Sequence, residues 1–324
     1  MSYTDEFGRC FVTGAAGFIG SHLVECLLTE GCTVSGYDNL TSGHEEWIAP
    51  FTENPRFTFI KGDLLDNELL QRSVNGHQTV FHLAANGDIR AALNNPRLDL
   101  EQGPLATYNV IEAIRKNKSK YLLFTSSGAV FGLTSQIPTA ETVAPLLPIS
   151  MYAGSKMACE GLISAAANTF GFKARIYRLG NVVGGRMTRG VIYDFIHKLK
   201  RNPKELEILG DGQQEKNFIL VDDVVEGMLY SLIKDNDPVC DLFHLGAPDS
   251  LKICDLARIV VEEMGLEGVR FKYTGGRSGW PGDQPTAIFN IDKIKSLNWQ
   301  PKYTSVQAVH MATKRILAQG NLRR

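Results

Sequence analysis

Apolar residues in the first two thirds of the chain fall into short runs that alternate with helix-like segments. Each run is apolar on both faces, as a buried strand requires, and is followed by a turn or a helical pattern. This alternation is typical of a parallel sheet wrapped by helices, so we expect an α/β fold with a doubly wound sheet. The predicted strands are Cys10–Thr13, Thr33–Tyr37, Phe57–Ile60, Thr79–Leu83, Tyr121–Thr125 and Ala174–Arg178.

The regular alternation weakens after Gly184. Beyond it, Val191–Lys200, Val221–Lys234 and Ile253–Met264 have helical patterns between loops rich in Gly, Pro and Asp. We therefore predict a sheet domain over residues 1–184, to which a segment near 215–235 returns. A smaller C-terminal domain is predicted over residues 185–324.

Charge and composition exclude several classes of partner. The 324 residues include 34 Lys and Arg against 35 Asp and Glu, a net charge of -1 that gives no field to attract nucleic acid or an anionic membrane. No apolar stretch approaches the roughly 18 residues of a membrane span, and the N-terminus is too polar for a signal peptide, so we expect a cytoplasmic protein. The six cysteines are scattered without a CxxC pair, which favours buried reduced thiols over a metal site or disulfide framework.

A glycine-rich segment, Gly14-Ala15-Ala16-Gly17-Phe18-Ile19-Gly20, lies between the first predicted strand and a helical stretch. Glycine permits the tight turn and the close approach of a pyrophosphate, and the helix N-terminus offers free N–H groups to its phosphates. In this setting the motif predicts a dinucleotide site and makes the doubly wound sheet a Rossmann domain.

Asp38 ends the second predicted strand, 21 residues after Gly17. This is the expected place for a carboxylate that binds the adenine-ribose hydroxyls, and its charge disfavours the 2'-phosphate of NADP, so NAD is the predicted cofactor. The alternative is a simple turn former within Asp38-Asn39-Leu40. Asp63-Leu64 and Leu83-Ala84-Ala85 follow the next two strands, where ligands bind in open sheets, and Asp63 is a candidate for the adenine amino group. His82 is interpreted as a packed histidine rather than a catalyst.

Candidate catalytic residues follow in the order Ser127, Tyr152, Lys156. Tyr152 and Lys156 are four residues apart, which places them on one helix face and brings an ammonium near the phenol. A nearby cation, together with the positive nicotinamide ring, is expected to stabilise the phenolate and make Tyr152 a general base at neutral pH. Ser127, at the end of a predicted strand, can share the proton of a substrate hydroxyl with it.

Together these residues resemble the extended short-chain dehydrogenase/reductase family over nearly the whole chain, most closely the UDP-glucose 4-epimerases. Further motifs carry the likeness: Tyr37–Gly43, Arg178–Gly184, Gly190–Ile192, Leu209–Gly212, Phe218–Asp223 and Gly279–Asp283. The resemblance implies reversible oxidation at C4 of a UDP-glucose or UDP-galactose type sugar.

The resemblance also implies binding residues. Around NAD it implies Gly14, Gly17, Phe18, Ile19, Gly20, Asp38, Asn39, Leu40, Ser42, Gly43, Asp63, Leu64, Leu83, Ala84, Ala85, Thr125, Tyr152 and Lys156. For the nucleotide sugar it implies Asn86, Ser127, Tyr152, Asn181, Val191, Lys216, Arg277 and Asp283, with Asn181 contacting the diphosphate, Lys216 and Arg277 neutralising it, and Asp283 near the ribose. The region beyond residue 184 is accordingly expected to be mainly substrate-binding.

The lack of an acidic residue beside Ser127 distinguishes this chain from family members with other activities. By the same resemblance, the 4,6-dehydratases of this family have an Asp-Glu pair after the Thr, and the UDP-glucuronate decarboxylases have a Glu after the Thr-Ser. This chain has Thr125-Ser126-Ser127-Gly128 there. The lack of an acidic residue in this segment favours 4-epimerisation. The alternatives are a 4-ketoreductase or dehydrogenase and a non-catalytic NAD-sensing protein.

Several positions depart from the epimerase pattern: Gly103, Phe131, Ala153-Gly154 and Lys216-Asn217. Likeness also implies a homodimer through Pro104–Lys116 and Met151–Thr169. The apolar positions Leu105, Val110, Ile114, Leu162 and Ala166 would form that face or pack on the chain's own sheet.

Overall fold

The computed structural model describes residues 3–89, 91–234 and 237–321. The strands are β1 Arg9–Thr13, β2 Thr33–Asp38, β3 Phe57–Lys61, β4 Thr79–His82, β5 Tyr121–Ser127, β6 Lys173–Leu179, β7 Asn181–Val183, β8 Glu205–Ile208, β9 Glu215–Lys216, β10 Phe218–Leu220, β11 Cys240–Leu245, β12 Leu251–Lys252, β13 Arg270–Tyr273 and β14 Thr286–Ala287. The helices are α1 Tyr3–Phe7, α2 Phe18–Thr29, α3 Glu45–Ile48, α4 Asn67–Val74, α5 Arg97–Leu100, α6 Ala106–Asn117, α7 Met151–Phe170, α8 Val191–Arg201, α9 Val221–Lys234, α10 Ile253–Glu263, α11 Asp292–Lys295 and α12 Ser305–Asn321. A π-helical turn covers Glu101–Leu105, and 3-10 turns cover Ala49–Phe51, Ala91–Leu93 and Gly128–Phe131.

The main sheet has seven strands in the order β11-β6-β5-β4-β1-β2-β3. β1 pairs in parallel with both β2 and β4, so the strand order reverses beside β1, where open sheets bind their ligands. Six strands coincide with the predicted runs, and the Rossmann prediction is confirmed. The seventh, β11, was not predicted because it is an edge strand whose first residues are only half buried and include Asp241.

Helices α6 and α7 cover the sheet through a core in which Val110, Ile114 and Ala166 are buried. These three positions of the expected dimer face therefore pack within the chain's own core. Leu105 and Leu162, the other two, are 46% and 38% exposed. The single helical face predicted from spacing thus divides into core positions and solvent-facing positions. Leu105 lies in the π-helical turn before α6, which starts two residues later than expected, and Leu162 lies on α7.

The chain forms two compact units. The first comprises Met1–Gly132, Leu146–Arg178 and Met228–Phe243, and the second comprises Leu133–Pro145, Leu179–Gly227 and His244–Arg324. The observed return to the first unit therefore covers 228–243, whereas the sequence suggested 215–235, and residues 133–145 belong to the second unit.

Within the second unit, α8, α10 and α12 pack around a separate apolar core that includes Ile196, Leu256 and Ala312. The three helices predicted beyond residue 184 are present, with α8 and α10 differing from prediction by one residue at their C-terminal ends. Two strand pairs, β7 with β10 and β8 with β13, and a three-stranded sheet in the order β12-β9-β14 complete this unit. Across the described ranges, no helix is long and apolar enough to cross a membrane.

Candidate functional site

The glycine-rich turn follows β1 directly. Gly14 has a φ of 70°, a left-handed conformation that favours glycine, and its N–H donates to the carbonyl of Tyr37 at 2.9 Å. A side chain at Gly20 would collide with the carbonyl oxygen of Gly14, so α2 can start this close to the strand only with glycine there. The turn therefore presents backbone at the N-terminus of α2, as a pyrophosphate site requires.

Asp38 lies at the end of β2 and faces this turn. Its Oδ2 accepts from the Ala16 N–H at 3.0 Å and its Oδ1 from the Leu40 N–H at 2.8 Å. Asp38 thus stabilises its own turn, as the alternative interpretation held, and also contacts the glycine-rich turn. Burial is the main reason that the pKa of its carboxyl is raised, although both backbone hydrogen bonds lower it.

The other candidate cofactor residues sit at the ends of neighbouring strands. Asn39 Nδ2 donates to Asp63 Oδ2 at 2.8 Å, which links the segments after β2 and β3. The Gly14 backbone lies against the Ala84 backbone that follows β4. Leu64 is buried in the core, whereas Ser42 is exposed. A dinucleotide fits this combination of features: the glycine-rich turn, the N-terminus of α2 and the carboxylate of Asp38 at the end of β2.

The candidate catalytic residues come together between β5 and the start of α7. The Ser150 side chain accepts from the Ala153 N–H at 3.2 Å and begins the helix, so Tyr152 stands in its first turn and Lys156 one turn later. The Ser127 hydroxyl lies near enough to the Tyr152 phenol to lower its pKa. Lys156, only 4% exposed, donates to the Thr125 carbonyl at 2.7 Å, and its Nζ lies 6.0 Å from the centre of the Tyr152 ring.

Burial dominates the electrostatics of this cluster. Burial raises the pKa of Tyr152 to about 12, although the nearby Ser127 hydroxyl lowers it, and burial lowers the pKa of Lys156 to about 8. In the protein alone, desolvation outweighs the groups that favour the phenolate, and the joint effect of Lys156 and a bound nicotinamide ring stays a prediction. Ionisation of Tyr152 near neutral pH requires further positive charge, of the kind a bound nicotinamide ring carries.

A buried ion pair behind the cluster was missed by sequence reasoning. Glu160 accepts from Arg178 Nε at 3.0 Å and from a terminal nitrogen of the same guanidinium at 2.7 Å, with the two side chains 9% and 5% exposed. Glu160 also accepts from the Ser126 hydroxyl at 2.5 Å, beside Ser127. Its position four residues after Lys156 on the same helix face was the available signal.

His82 is a packed histidine, as predicted. Its Nδ1 lies 2.8 Å from Thr13 Oγ1 and its Nε2 lies 3.0 Å from Thr107 Oγ1. Burial lowers its pKa to about 3, so it is neutral at physiological pH.

Five of the candidate substrate residues lie in the second unit. Lys216 and Asp283 form an ion pair there, with Nζ and Oδ1 2.5 Å apart. Asn181 donates to the Asn217 carbonyl at 3.3 Å, and Val191 begins α8. Arg277 is exposed in its loop. The roles of Lys216 and Arg277 toward a diphosphate stay predictions, and in the observed contacts Lys216 pairs with a carboxylate.

Comparison with known proteins places this architecture in a family. Residues 10–246 match the model of the NAD dependent epimerase/dehydratase family. The chain belongs to this family. NAD is therefore its cofactor, in agreement with the glycine-rich turn and Asp38.

Members of the NAD dependent epimerase/dehydratase family with different reactions are similar to this chain. A solved UDP-galactose 4-epimerase is 35% identical, with a TM-score of 0.86 over 96% of this chain and 99% of that one. The UDP-glucose 4-epimerase of Mycolicibacterium smegmatis is 33% identical over 68% of this chain and 72% of its own length. UDP-glucuronic acid decarboxylase 1 of Arabidopsis thaliana is 31% identical over 91% of this chain and 66% of the plant protein.

Proposed function

We propose that this enzyme is a nucleotide-sugar 4-epimerase that interconverts sugars of the UDP-glucose and UDP-galactose type. The main support for this proposal is the cluster of Ser127, Tyr152 and Lys156 at the end of β5, where the chain has no acidic residue. The backbone after Ser127 continues into the 3-10 turn Gly128–Phe131, whose side chains are apolar. A dehydratase or decarboxylase needs an acid or base beyond the tyrosine, and this segment offers none.

In the proposed reaction, the Tyr152 phenolate removes the proton from the sugar 4-hydroxyl, and Ser127 orients that hydroxyl through its hydrogen bond. When bound, NAD supplies reversible hydride acceptance at C4. Tyr152 then returns the proton after the keto sugar has turned its other face, so the cycle involves no net oxidation. Lys156 favours the ionised phenol by its charge and is held in place by the Thr125 carbonyl.

We assign cofactor binding to the first unit and the nucleotide of the substrate mainly to the second. Asn181, Lys216 and Arg277 are the proposed diphosphate contacts. In that role Lys216 shares its charge between the substrate and Asp283, because the pair is already formed. A lysine offers the phosphates a point charge, whereas an arginine can form two parallel hydrogen bonds to them. The affinity for the diphosphate should therefore fall more steeply as the ionic strength rises.

The proposal is tested by mixing the purified protein with UDP-galactose, without added NAD, and following UDP-glucose by chromatography. Formation of UDP-glucose without a change in NADH absorbance supports it. Stoichiometric use of NADH would instead indicate the 4-ketoreductase or dehydrogenase alternative. Inactivity on UDP-, dTDP-, CDP- and GDP-hexoses alike would overturn the proposal and revive a non-catalytic NAD-sensing role.

We further propose that the enzyme is a homodimer that uses the solvent-facing side of α6 and α7. Large apolar residues are exposed on this part of the first unit: Leu100, Leu105, Tyr108, Met151 and Leu162. Exposed apolar clusters of this kind mark interaction surfaces, and two-fold homodimers are the commonest oligomers. Light scattering after size-exclusion chromatography tests the dimer, and a monomeric mass would refute it.

A further inference from the structure

A buried carboxylate without an assigned role lies beside the catalytic cluster. Asp99, on α5, is 1% exposed, and its Oδ1 accepts from Asn86 Nδ2 at 2.8 Å. Its Oδ2 is also buried and has no hydrogen-bond partner among the residues that the structure describes. A buried anion with one neutral donor is costly unless a positive charge lies nearby.

The backbone brings Asp99 close to α7. The π-helical turn that follows α5 contains Gly103, and a Cβ atom there would stand 3.0 Å from the Cβ of Ser155 and 3.9 Å from the Sγ of Cys159. Ser155 and Cys159 flank Lys156 along α7. The missing side chain at Gly103 thus lets this segment approach the helix at the level of the catalytic lysine, and π-helical turns often occur at functional sites.

Two other ionisable groups on α7, Cys159 and Glu160, also raise the pKa of Lys156, but neither offers it an unshared negative charge. Glu160 is already paired with Arg178, which reaches it from β6. Cys159 accepts a hydrogen bond from Thr107 at 3.2 Å, and burial raises the pKa of its thiol, so it stays neutral.

The elements packed against α7 add few further charges at this level. From β4, His82 is neutral, because burial keeps its pKa at about 3. From β5, Lys156 meets the Thr125 carbonyl and the Phe124 ring, 4.6 Å from Nζ. Burial dominates the pKa of both Lys156 and Tyr152; beside it the negative charge of Asp99 raises each pKa, for Lys156 by less than Cys159 and Glu160 do.

Around Asp99 itself, the neighbouring charged groups face solvent. Asp88 is exposed, and Arg97 pairs with Glu101 at 2.5 Å on the outer side of α5. The pKa of Asp99 is raised mainly by burial and lowered by the Asn86 hydrogen bond and by Lys156. Lys156 is thus the cation acting on Asp99 within the described part of the chain.

We propose that Asp99 supplies the negative charge that balances the buried Lys156 ammonium, and that Asn86 holds this carboxylate in place. Both Nδ2 hydrogens of Asn86 are engaged, one by Asp99 Oδ1 and one by the Asp88 carbonyl at 2.9 Å, as befits a residue that positions a neighbour. Its catalytic consequence rests on the function proposed above: Asp99 is a positioning residue that acts on Tyr152 through Lys156.

The direct test is the titration of Lys156 in the full-length protein without nucleotide sugar. In protein labelled with 15N-lysine, the Nζ signal is followed against pH by NMR and assigned with Lys156→Met. Asp99→Asn should lower the Lys156 midpoint by about one pH unit, because an adjacent carboxylate favours the ammonium. Asp88→Asn, which removes an exposed carboxylate from the same region, should leave it within about 0.2 unit. An unchanged midpoint in Asp99→Asn overturns the proposal.

The same variants are compared in the pH profile of kcat for UDP-galactose. Asp99 raises the pKa of Tyr152 as well as of Lys156, so Asp99→Asn should move both limbs of the profile to lower pH by about one unit. A lower kcat with unmoved limbs would mean that Asp99 is only structural, and would overturn its catalytic consequence. Total inactivity of the parent protein would instead count against the epimerase, while the NMR titration would still decide the role of Asp99.

Asn86→Ala tests the same charge if Asp99→Asn does not fold. It leaves Asp99 in place but removes the donor that favours its ionised form, so the Lys156 midpoint should fall in the same direction by a smaller amount. A midpoint that stays at the parent value in this folded variant also overturns the proposal.

Discussion

Loss of the buried charge at Glu160 should destabilise the first unit strongly. Glu160→Gln keeps the size of the side chain but leaves the Arg178 guanidinium, 5% exposed, without the carboxylate that now accepts two of its hydrogen bonds. The Ser126 hydroxyl also loses a charged acceptor. Removing one partner of a buried ion pair costs about 3–5 kcal/mol, because the other charge remains in a medium of low polarity.

The assay is urea unfolding followed by circular dichroism, with the free energy of unfolding extrapolated to water. Glu68→Gln is the matched control, since Glu68 pairs with Arg72 at 3.8 Å and both side chains are largely exposed. The control should lose less than about 0.5 kcal/mol.

A loss below about 1 kcal/mol in Glu160→Gln would refute this reasoning. Replacing both partners, in Glu160→Met with Arg178→Met, should recover much of the lost stability, because no isolated charge is then buried. If the double variant is as unstable as the single one, the cost lies in packing rather than in the unpaired charge.

Three further changes probe the site. Gly20→Ala should abolish retention of NAD during purification, because its side chain collides with the Gly14 carbonyl, whereas Gly161→Ala, which meets no atom within 4 Å, should retain it. Tyr152→Phe should lower kcat about 10²- to 10⁴-fold with unchanged NAD absorbance, and near-normal turnover would exclude this phenol as the acid/base group. In the parent protein, the pKa of Lys156 is about 8 in the folded state and about 10.5 in the unfolded chain, so the unfolded chain binds more protons between these pH values. The free energy of unfolding should therefore rise by about 3 kcal/mol from pH 8 to 10.5. Lys156→Met should remove this rise. Unfolding at pH 7.5 and 10 tests this, and equal slopes in parent and variant would contradict it.

The parts of the fold that the sequence predicts depend on local signals. Each of these signals spans only a few neighbouring residues: the apolar runs of the strands, the glycines after β1, and the four-residue spacing of Tyr152 and Lys156. Edge strand β11 lacks such a signal, since only half of it is buried.

What the sequence does not predict depends on distant contacts. Glu160 and Arg178 are 18 residues apart, and Lys216 and Asp283 are 67 residues apart, so neither ion pair follows from spacing. The raised pKa of Tyr152 in the protein alone does not follow from the sequence either, because the burial that raises it comes from tertiary packing.

The most direct test of the proposed chemistry uses UDP-galactose deuterated at C4. If one bound cofactor takes and returns the same hydrogen, UDP-glucose formed without added NAD should retain the deuterium at C4, as mass spectrometry and NMR can show. Epimerised product that has exchanged its C4 deuterium for solvent hydrogen would contradict the mechanism.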